Sequence, residues 1–119
     1  MKLWFHQAPI VAAAACGLLM TVPACAEDLN GRQAQGRAIY AKWCAPCHDP
    51  GVTHPGTNAL TVKYRGVKSG VLLEWTDLPP VAVKAIVRHG ISVMPQFRKT
   101  EISDVELDAL AAFLSRNAR

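Results

Sequence analysis

The 119-residue chain lacks the sequence features that mark several large classes of protein. It contains no low-complexity run and no internal repeat, and its length suits a single domain. Its formal net charge is +4, but no run of Lys and Arg approaches the footprint of a nucleic-acid-binding protein, so nucleic acid is not expected as a partner. No segment alternates apolar and polar residues as a half-buried strand does, which leaves helices as the predicted elements.

The N-terminal residues have the layout of a secretory signal peptide. A short basic start, Met1 and Lys2, precedes an apolar stretch over 10–22 that is rich in alanine and leucine. The small-x-small pattern that ends at Ala26 predicts cleavage after that residue. The apolar stretch is too short to span a bilayer comfortably, so a retained membrane anchor is the less favoured alternative. Lipid attachment at Cys25 is a second alternative, which the proline two residues earlier disfavours.

Processing at this site divides the chain into a signal peptide over 1–26 and a mature domain over 27–119, and it predicts a periplasmic location with no membrane span. It also makes cysteine scarce, because only Cys44 and Cys47 remain of the four in the chain. Two cysteines in an exported protein normally form a disulfide. A pair separated by two residues and followed at once by a histidine has another use.

The first and last helices of the mature domain are predicted from their composition and periodicity. The first covers about 30–43 and contains a glycine where another helix could approach closely. The last begins at a capping box formed by Ser103 and Glu106. Its apolar face repeats at helical spacing through Leu107, Leu110, Ala111 and Leu114.

A second helix is predicted between a cap at Thr76 or Asp77 and a stop at Gly90, with two prolines in its first turn. The stretch over 49–77, dense in Pro, Gly, Thr and Asn, shows no sustained period and is predicted to be a long loop. Loops of that length are unusual in a compact domain unless they wrap a ligand.

Cys44-Ala45-Pro46-Cys47-His48 is the strongest functional signal in the chain. C-x-x-C-H is the attachment signature of c-type haem. The spacing allows the two thiols to add to the two vinyl groups of one porphyrin, and it places His48 beneath the ring, where an imidazole nitrogen can bind iron. Together with the predicted helices, the motif favours an all-α fold class, with about three helices and long loops around one covalent haem.

Two other interpretations of Cys44 and Cys47 remain open. With their neighbours they resemble the dithiol of thioredoxin-like oxidoreductases, but that dithiol follows a buried strand, whereas the segment before this pair is predicted to be helical. Structural zinc would need further ligands at finger-like spacing. His54 and His89 are available, but they do not provide that spacing.

The sixth iron ligand is predicted by elimination. Met94 is the only methionine after the signal peptide, and it precedes a proline in a non-helical segment, which suits a ligand better than a core residue. His54 is only six residues past His48 and is expected to be a loop residue on the same side of the ring. His89 falls at the end of the second helix, where a histidine near the last carbonyls is ordinary.

Ligation by His48 and Met94 would decide the kind of function. With both axial positions filled, no site is open for oxygen, peroxide or substrate, so the prediction is an electron-transfer protein and not an enzyme. A ligand-binding or peroxidatic haem protein, in which Met94 is displaced during use, is the alternative.

With these residues in place, the mature region resembles a class I cytochrome c, and the resemblance implies the compact cytochrome c fold of that family. The pair Gly36 and Tyr40 before the motif is similar to the family's N-terminal helix, and the stretch that includes Leu110 and Phe113 is similar to its C-terminal helix. In that family the two helices cross, with the glycine allowing close approach and the aromatic side chains interlocking. The resemblance assigns these four residues to packing.

The resemblance also implies contacts around the haem. The family uses a proline carbonyl to accept the second ring N–H of the histidine ligand, and Pro55 is the matching candidate, although the family order is glycine then proline and this chain has Pro55 before Gly56. Tyr64, Arg65 and Trp75 lie where the family often places groups near the haem propionates.

A narrower resemblance is to the small cytochrome subunits of bacterial flavocytochrome hydroxylases that act on 4-alkylphenols such as 4-cresol or eugenol. It is carried by IVRHG at 86–90 and MPQF at 94–97. It implies that the electron donor is a dehydrogenase, flavin- or quinone-dependent, and that a downstream cytochrome or oxidase receives the electrons.

Overall fold

The computed structural model describes residues 24–118, with side chains described over 29–118. Most of the predicted signal peptide therefore lies outside the described residues, and it remains a prediction. The described elements are α1 (Ala24–Trp43), α2 (Ala45–His48), α3 (Pro55–Tyr64), a 3₁₀ turn (Leu72–Glu74), α4 (Pro80–His89) and α5 (Asp104–Leu114). Over 24–118 there is no strand beyond one isolated bridge, so the predicted all-α class is confirmed.

The crossing of α1 and α5 forms the centre of the core. A Cβ placed on Gly36 would lie against the Ala109 carbonyl and 2.7 Å from the Cβ of Phe113, so the two backbones are closer than any other residue would allow. One turn later the ring of Tyr40 packs on Phe113 at a centroid distance of 5.8 Å. Leu110 is fully buried in the same interface. The packing role that the family resemblance implies for these residues is confirmed.

The capping box at the start of α5 is also confirmed. The Ser103 hydroxyl accepts the N–H of Glu106, and a Glu106 carboxylate oxygen accepts the N–H of Ser103 at 2.8 Å. The same oxygen accepts a bond from the Ser103 hydroxyl at 2.7 Å, and these bonds lower the pKa of Glu106. The start of α5 is thus defined by hydrogen bonds between nearby residues, which the sequence alone predicts.

The predicted loop over 49–77 is wrong in part, because it contains α3 and the 3₁₀ turn. Of the residues in α3 only Thr57 is buried, so the helix has almost no apolar stripe to reveal it. Pro55 occupies the first helical position, where a missing N–H costs nothing, and Arg65 ends the helix with a left-handed conformation at φ 47°. The prolines and polar residues that favoured a loop prediction mark the ends of a helix in this segment.

The predicted cap of α4 is wrong as well. Pro79 stands at the N-cap and makes no side-chain capping bond, while Asp77 pairs instead with Lys68 at 2.5 Å. Two successive prolines already set the backbone for a helix start, so no side-chain cap is needed to direct the chain. The predicted stop is confirmed, since Gly90 follows the helix with φ 69°. Within the described part of the chain no helix is both long and apolar enough to cross a membrane.

The α1–α5 crossing can be tested with two glycines of the same helix. Gly36→Ala should lower the free energy of unfolding by about 1–3 kcal/mol, because the new methyl group overpacks the crossing. Gly31→Ala is the matched control, since nothing lies within 4 Å of a Cβ built there. It should raise stability by about 0.5–1 kcal/mol through helix propensity. Urea unfolding of the holoprotein measures both, and equal effects would contradict the proposed close approach.

Candidate haem site

The C-x-x-C-H motif is wound into a single helical turn directly after α1. The N–H of Cys44 bonds the Tyr40 carbonyl at 2.8 Å, and Cys44 then serves as the N-cap of α2. Its own carbonyl accepts the N–H groups of Cys47 at 3.0 Å and His48 at 2.9 Å. Residues three and four apart in a helical turn share one face. Both thiols and the imidazole are therefore presented together.

The two cysteines are free thiols in different surroundings. Cys44 is buried and Cys47 is exposed. Burial, with a smaller contribution from the neighbouring Cys47, raises the pKa of the Cys44 thiol to about 12. A dithiol oxidoreductase needs an attacking cysteine with a lowered pKa. The surroundings of Cys44 oppose the thioredoxin-like interpretation.

His48 is half-buried and held from two sides. Its carbonyl accepts the hydroxyl of Tyr40 at 3.0 Å. Its Nδ1 is buried and has no hydrogen-bond partner among the described residues. A Cβ on Gly56 would lie 2.7 Å from the Cε1 of this ring and 2.9 Å from the Nδ1, so the start of α3 presses on that edge. Burial lowers the pKa of His48 and favours the neutral imidazole, which is the form that binds metal.

Pro55 does not hold the imidazole in the way the resemblance implies. No hydrogen bond joins the Pro55 carbonyl to the Nδ1 of His48, which is unpartnered within the described chain. Pro55 is the first residue of α3, and a carbonyl there points along the helix axis toward the N–H four residues on. The reversed order of proline and glycine has a visible consequence, because Gly56 is the residue that faces the ring.

The start of α3 is bonded to the motif by residues that the sequence did not single out for this role. The ring of His54 bonds the Pro46 carbonyl through its Nδ1 at 3.1 Å, and the hydroxyl of Thr57 bonds the Asp49 carbonyl at 2.9 Å. The predicted loop position of His54 beside the motif is consistent with this contact. Nothing in the sequence singled out Thr57, because its burial is visible only in the structure.

Met94 lies in a tight turn between α4 and α5. The N–H of Ile91 bonds the Met94 carbonyl at 3.1 Å, and the N–H of Met94 bonds the Ile91 carbonyl at 2.9 Å. Ser92 takes φ 55° in this turn, and a Cβ on Gly90 would lie 2.7 Å from the Met94 carbonyl oxygen. The side chain is half-buried against the core, in the non-helical setting predicted for it.

The three residues predicted near the propionates are only partly brought together. Tyr64 and Trp75 meet edge to face at 5.5 Å, and the ammonium of Lys68 lies 3.4 Å from the centroid of the Trp75 ring. The indole N–H of Trp75 donates to the Ser69 carbonyl at 2.7 Å, so this donor is already used within its own segment. Arg65 is exposed at the end of α3.

The donor set fits haem better than a structural metal ion. Among the described residues, no group of three or more His, Cys, Asp and Glu side chains is placed to hold a metal. The motif provides two free thiols and one neutral imidazole, and Gly56 of α3 leaves room beside the ring. These are the groups that two thioether bonds and one axial ligand require.

Comparisons with known proteins agree with this site. Residues 31–114 match the family model described as cytochrome C oxidase, cbb3-type, subunit III. The chain is also 33% identical over 99 residues, 83% of this chain and 73% of the relative, to the 4-cresol dehydrogenase [hydroxylating] cytochrome c subunit of Pseudomonas putida. No solved structure matches the chain.

The chain therefore belongs to this family of c-type cytochrome domains. Like its family, it carries covalently bound haem c and is an electron-transfer protein without a catalytic site of its own. The predicted resemblance to a c-type cytochrome, and to the cresol-hydroxylase cytochrome subunits in particular, is confirmed.

The contact between Gly56 and the His48 ring generates a prediction. Gly56→Ala should lower the free energy of unfolding by about 1–3 kcal/mol and shift the haem absorption spectrum, because the methyl group would displace the imidazole or the start of α3. Gly31→Ala, a helical glycine with open space around it, is the control and should leave the spectrum unchanged. A Gly56→Ala holoprotein with the wild-type spectrum would show that α3 does not press on the ring.

Proposed function

We propose that this chain is an exported single-haem cytochrome that accepts electrons one at a time from a periplasmic dehydrogenase. Cys44 and Cys47 would form the thioether bonds, and His48 and Met94 would bind the iron. The haem iron supplies a reversible one-electron change of valence. The protein would supply the thiols for attachment and the imidazole and thioether that bind the iron, and these ligands would tune its potential.

The observation that carries this proposal is the helical turn of the motif. It brings two unpaired thiols and the imidazole of His48 together within one helical turn, and the turn is bonded at both ends by Tyr40. The Nδ1 of His48 lies on the protein side, beside Gly56, which leaves the Nε2 as the nitrogen for iron. The motif occurs once in the chain, which supports a single haem.

The choice of Met94 is supported by what the other candidate ligands do. His54 uses its Nδ1 in a bond to Pro46, close to the attachment turn. His89 is exposed at the last position of α4. Met94 is half-buried in a turn with two reciprocal backbone bonds, so its thioether is offered from a fixed position. A soft thioether ligand favours ferrous iron and raises the potential.

Fewer polar groups are proposed to lie near the haem propionates than the family resemblance implies. Tyr64 and Trp75 form one cluster that would border the propionates, with the hydroxyl of Tyr64 as its remaining donor. Arg65 is at the exposed end of α3, where its charge would act at a distance.

The proposed donor follows from the relative, which is named as the cytochrome c subunit of a hydroxylating 4-cresol dehydrogenase. By similarity, the partner of this chain is a flavin- or quinone-dependent dehydrogenase that oxidises an alkylphenol or an alcohol. A downstream cytochrome or oxidase would then reoxidise the haem. The predicted signal peptide over 1–26 supports the periplasm as the location of this exchange.

The attachment chemistry is tested by the mass and spectrum of the exported protein. Produced in a host that matures c-type cytochromes, it should have the mass of residues 27–119 plus one haem, and the haem should resist acid–acetone extraction. Cys44→Ser with Cys47→Ser is the control and should yield extractable haem or none. A colourless protein with two free thiols would reject the haem proposal and favour the dithiol alternative.

The axial ligand is tested by replacing Met94. Met94→Ala should abolish the weak sulfur-to-ferric-iron band in the far red, allow carbon monoxide to bind the reduced protein and lower the reduction potential by on the order of 0.1 V, a part of the roughly 0.8 V range over which axial ligands act. Met94→His should restore six ligands but keep the potential low. Val93→Ala, at the exposed neighbouring residue, is the control. Wild-type spectra and potential in both Met94 variants would remove Met94 from the iron.

A further inference from the structure

The segment over 94–97 is held at its two ends and at few points between. Its start is the reciprocal bond pair between Ile91 and Met94. Its end is Phe97, whose N–H bonds the Val87 carbonyl at 2.8 Å and whose ring meets Trp43 edge to face at 5.8 Å. The position of Met94 therefore depends on the attachment of Phe97 to α4 as well as on its own bonds to Ile91.

The guanidinium of Arg88 completes that attachment. One of its terminal nitrogens, Nη1, donates to the Phe97 carbonyl at 3.0 Å. The other, Nη2, donates to the carbonyl of Ile102 at 2.9 Å and to the carboxylate of Asp104 at 2.9 Å. The side chain is only 18% exposed, so water competes weakly for these bonds. One side chain thus joins α4, the segment after Met94 and the first residue of α5.

The acceptors explain why this residue is an arginine. Three oxygen atoms from three parts of the chain are satisfied by two nitrogens of one planar, permanently charged group. A lysine ammonium is a point donor on a flexible stem and cannot span them in the same geometry. Ile102, one of the three, is fully buried, so its carbonyl has little access to water if the arginine is lost.

We infer that Arg88 is a positioning residue for the sixth iron ligand: by bonding Phe97, Ile102 and Asp104 it holds the segment over 94–97 in the place from which Met94 reaches the iron. This inference rests on the proposed ligation by Met94. Loss of Arg88 weakens the attachment of the far end of the segment while leaving the thioether itself intact, so the ligand dissociates more often.

Lys84 provides a matched control on the same helix. It lies one turn before Arg88 and pairs with Asp108 of α5 at 2.5 Å, so it also joins α4 to α5. Its side chain is 45% exposed, and within residues 29–118 neither member of the pair is hydrogen-bonded to the segment over 94–97. A variant at Lys84 removes a link between the two helices without touching the Met94 segment.

The test is the binding of imidazole to the ferric holoprotein. Imidazole can bind the iron only when the methionine is off, so its apparent association constant scales with the fraction of open molecules. Arg88→Met should raise that constant about tenfold or more and weaken the far-red band, as expected for the loss of charge-assisted bonds. Arg88→Lys should raise it severalfold, and Lys84→Met should stay within about twofold of wild type. Unfolding in urea, measured alongside, should show lowered stability in both methionine variants.

The outcomes separate this inference from the proposal beneath it. If the wild type has the far-red band and Arg88→Met binds imidazole no more tightly than Lys84→Met, Arg88 is a structural link only and the inference is overturned. Should Arg88→Met fail to fold, the comparison of Arg88→Lys with Lys84→Met decides by the same criterion. A wild type that lacks the band and binds imidazole without competition would overturn the ligation by Met94 and this inference together.

Discussion

At the crossing of α1 and α5, Gly36 allows the two backbones to touch, and Tyr40 follows one turn later with its ring on Phe113. Tyr40 then acts twice on the attachment turn, because its carbonyl accepts the N–H of Cys44 and its hydroxyl bonds the carbonyl of His48. The haem-binding motif is therefore not an independent loop. Its two ends are bonded to a residue whose position is set by the helix crossing, so a shift of α5 would be transmitted to the thiols and the imidazole.

The opposite side of the site depends on α5 as well, through its first turn. The capping box of Ser103 and Glu106 starts the helix, and Asp104 beside it accepts bonds from Arg88 and Lys99. Those bonds lower the pKa of Asp104 and keep its carboxylate charged. Through Arg88 the start of α5 is joined to the segment that carries Met94. One helix thus supports both the attachment motif and the segment that carries Met94, its middle acting through Tyr40 and its beginning through Arg88.

A structure held in this way suits electron transfer, in which neither axial ligand should move when the iron changes valence. The motif turn is stabilised by backbone bonds and by a buried aromatic residue, and the Met94 turn by a reciprocal bond pair and by Phe97. Phe97 in turn meets Trp43, the last residue of α1, so the two sides of the site are in contact with each other. The same features disfavour dithiol chemistry, since they bury Cys44 and raise its pKa to about 12.

Features that depend on neighbouring residues could be predicted from the sequence, whereas those that depend on tertiary contacts could not. The motif at 44–48, the capping box at Ser103 and the stop at Gly90 depend on residues a few positions apart, so their chemistry is visible without the fold. Helix α3 was not predicted because it is held by bonds of Thr57 and His54 to the motif turn and has no apolar stripe. The roles of Gly56 and Arg88 arise from partners on other elements, 8 residues away for the contact of Gly56 with His48 and 16 residues away for the pair of Arg88 with Asp104. Sequence alone determined what the site is made of, whereas tertiary structure decided which residues hold it, because hydrogen bonds and steric contacts depend on distance in space and not on spacing along the chain.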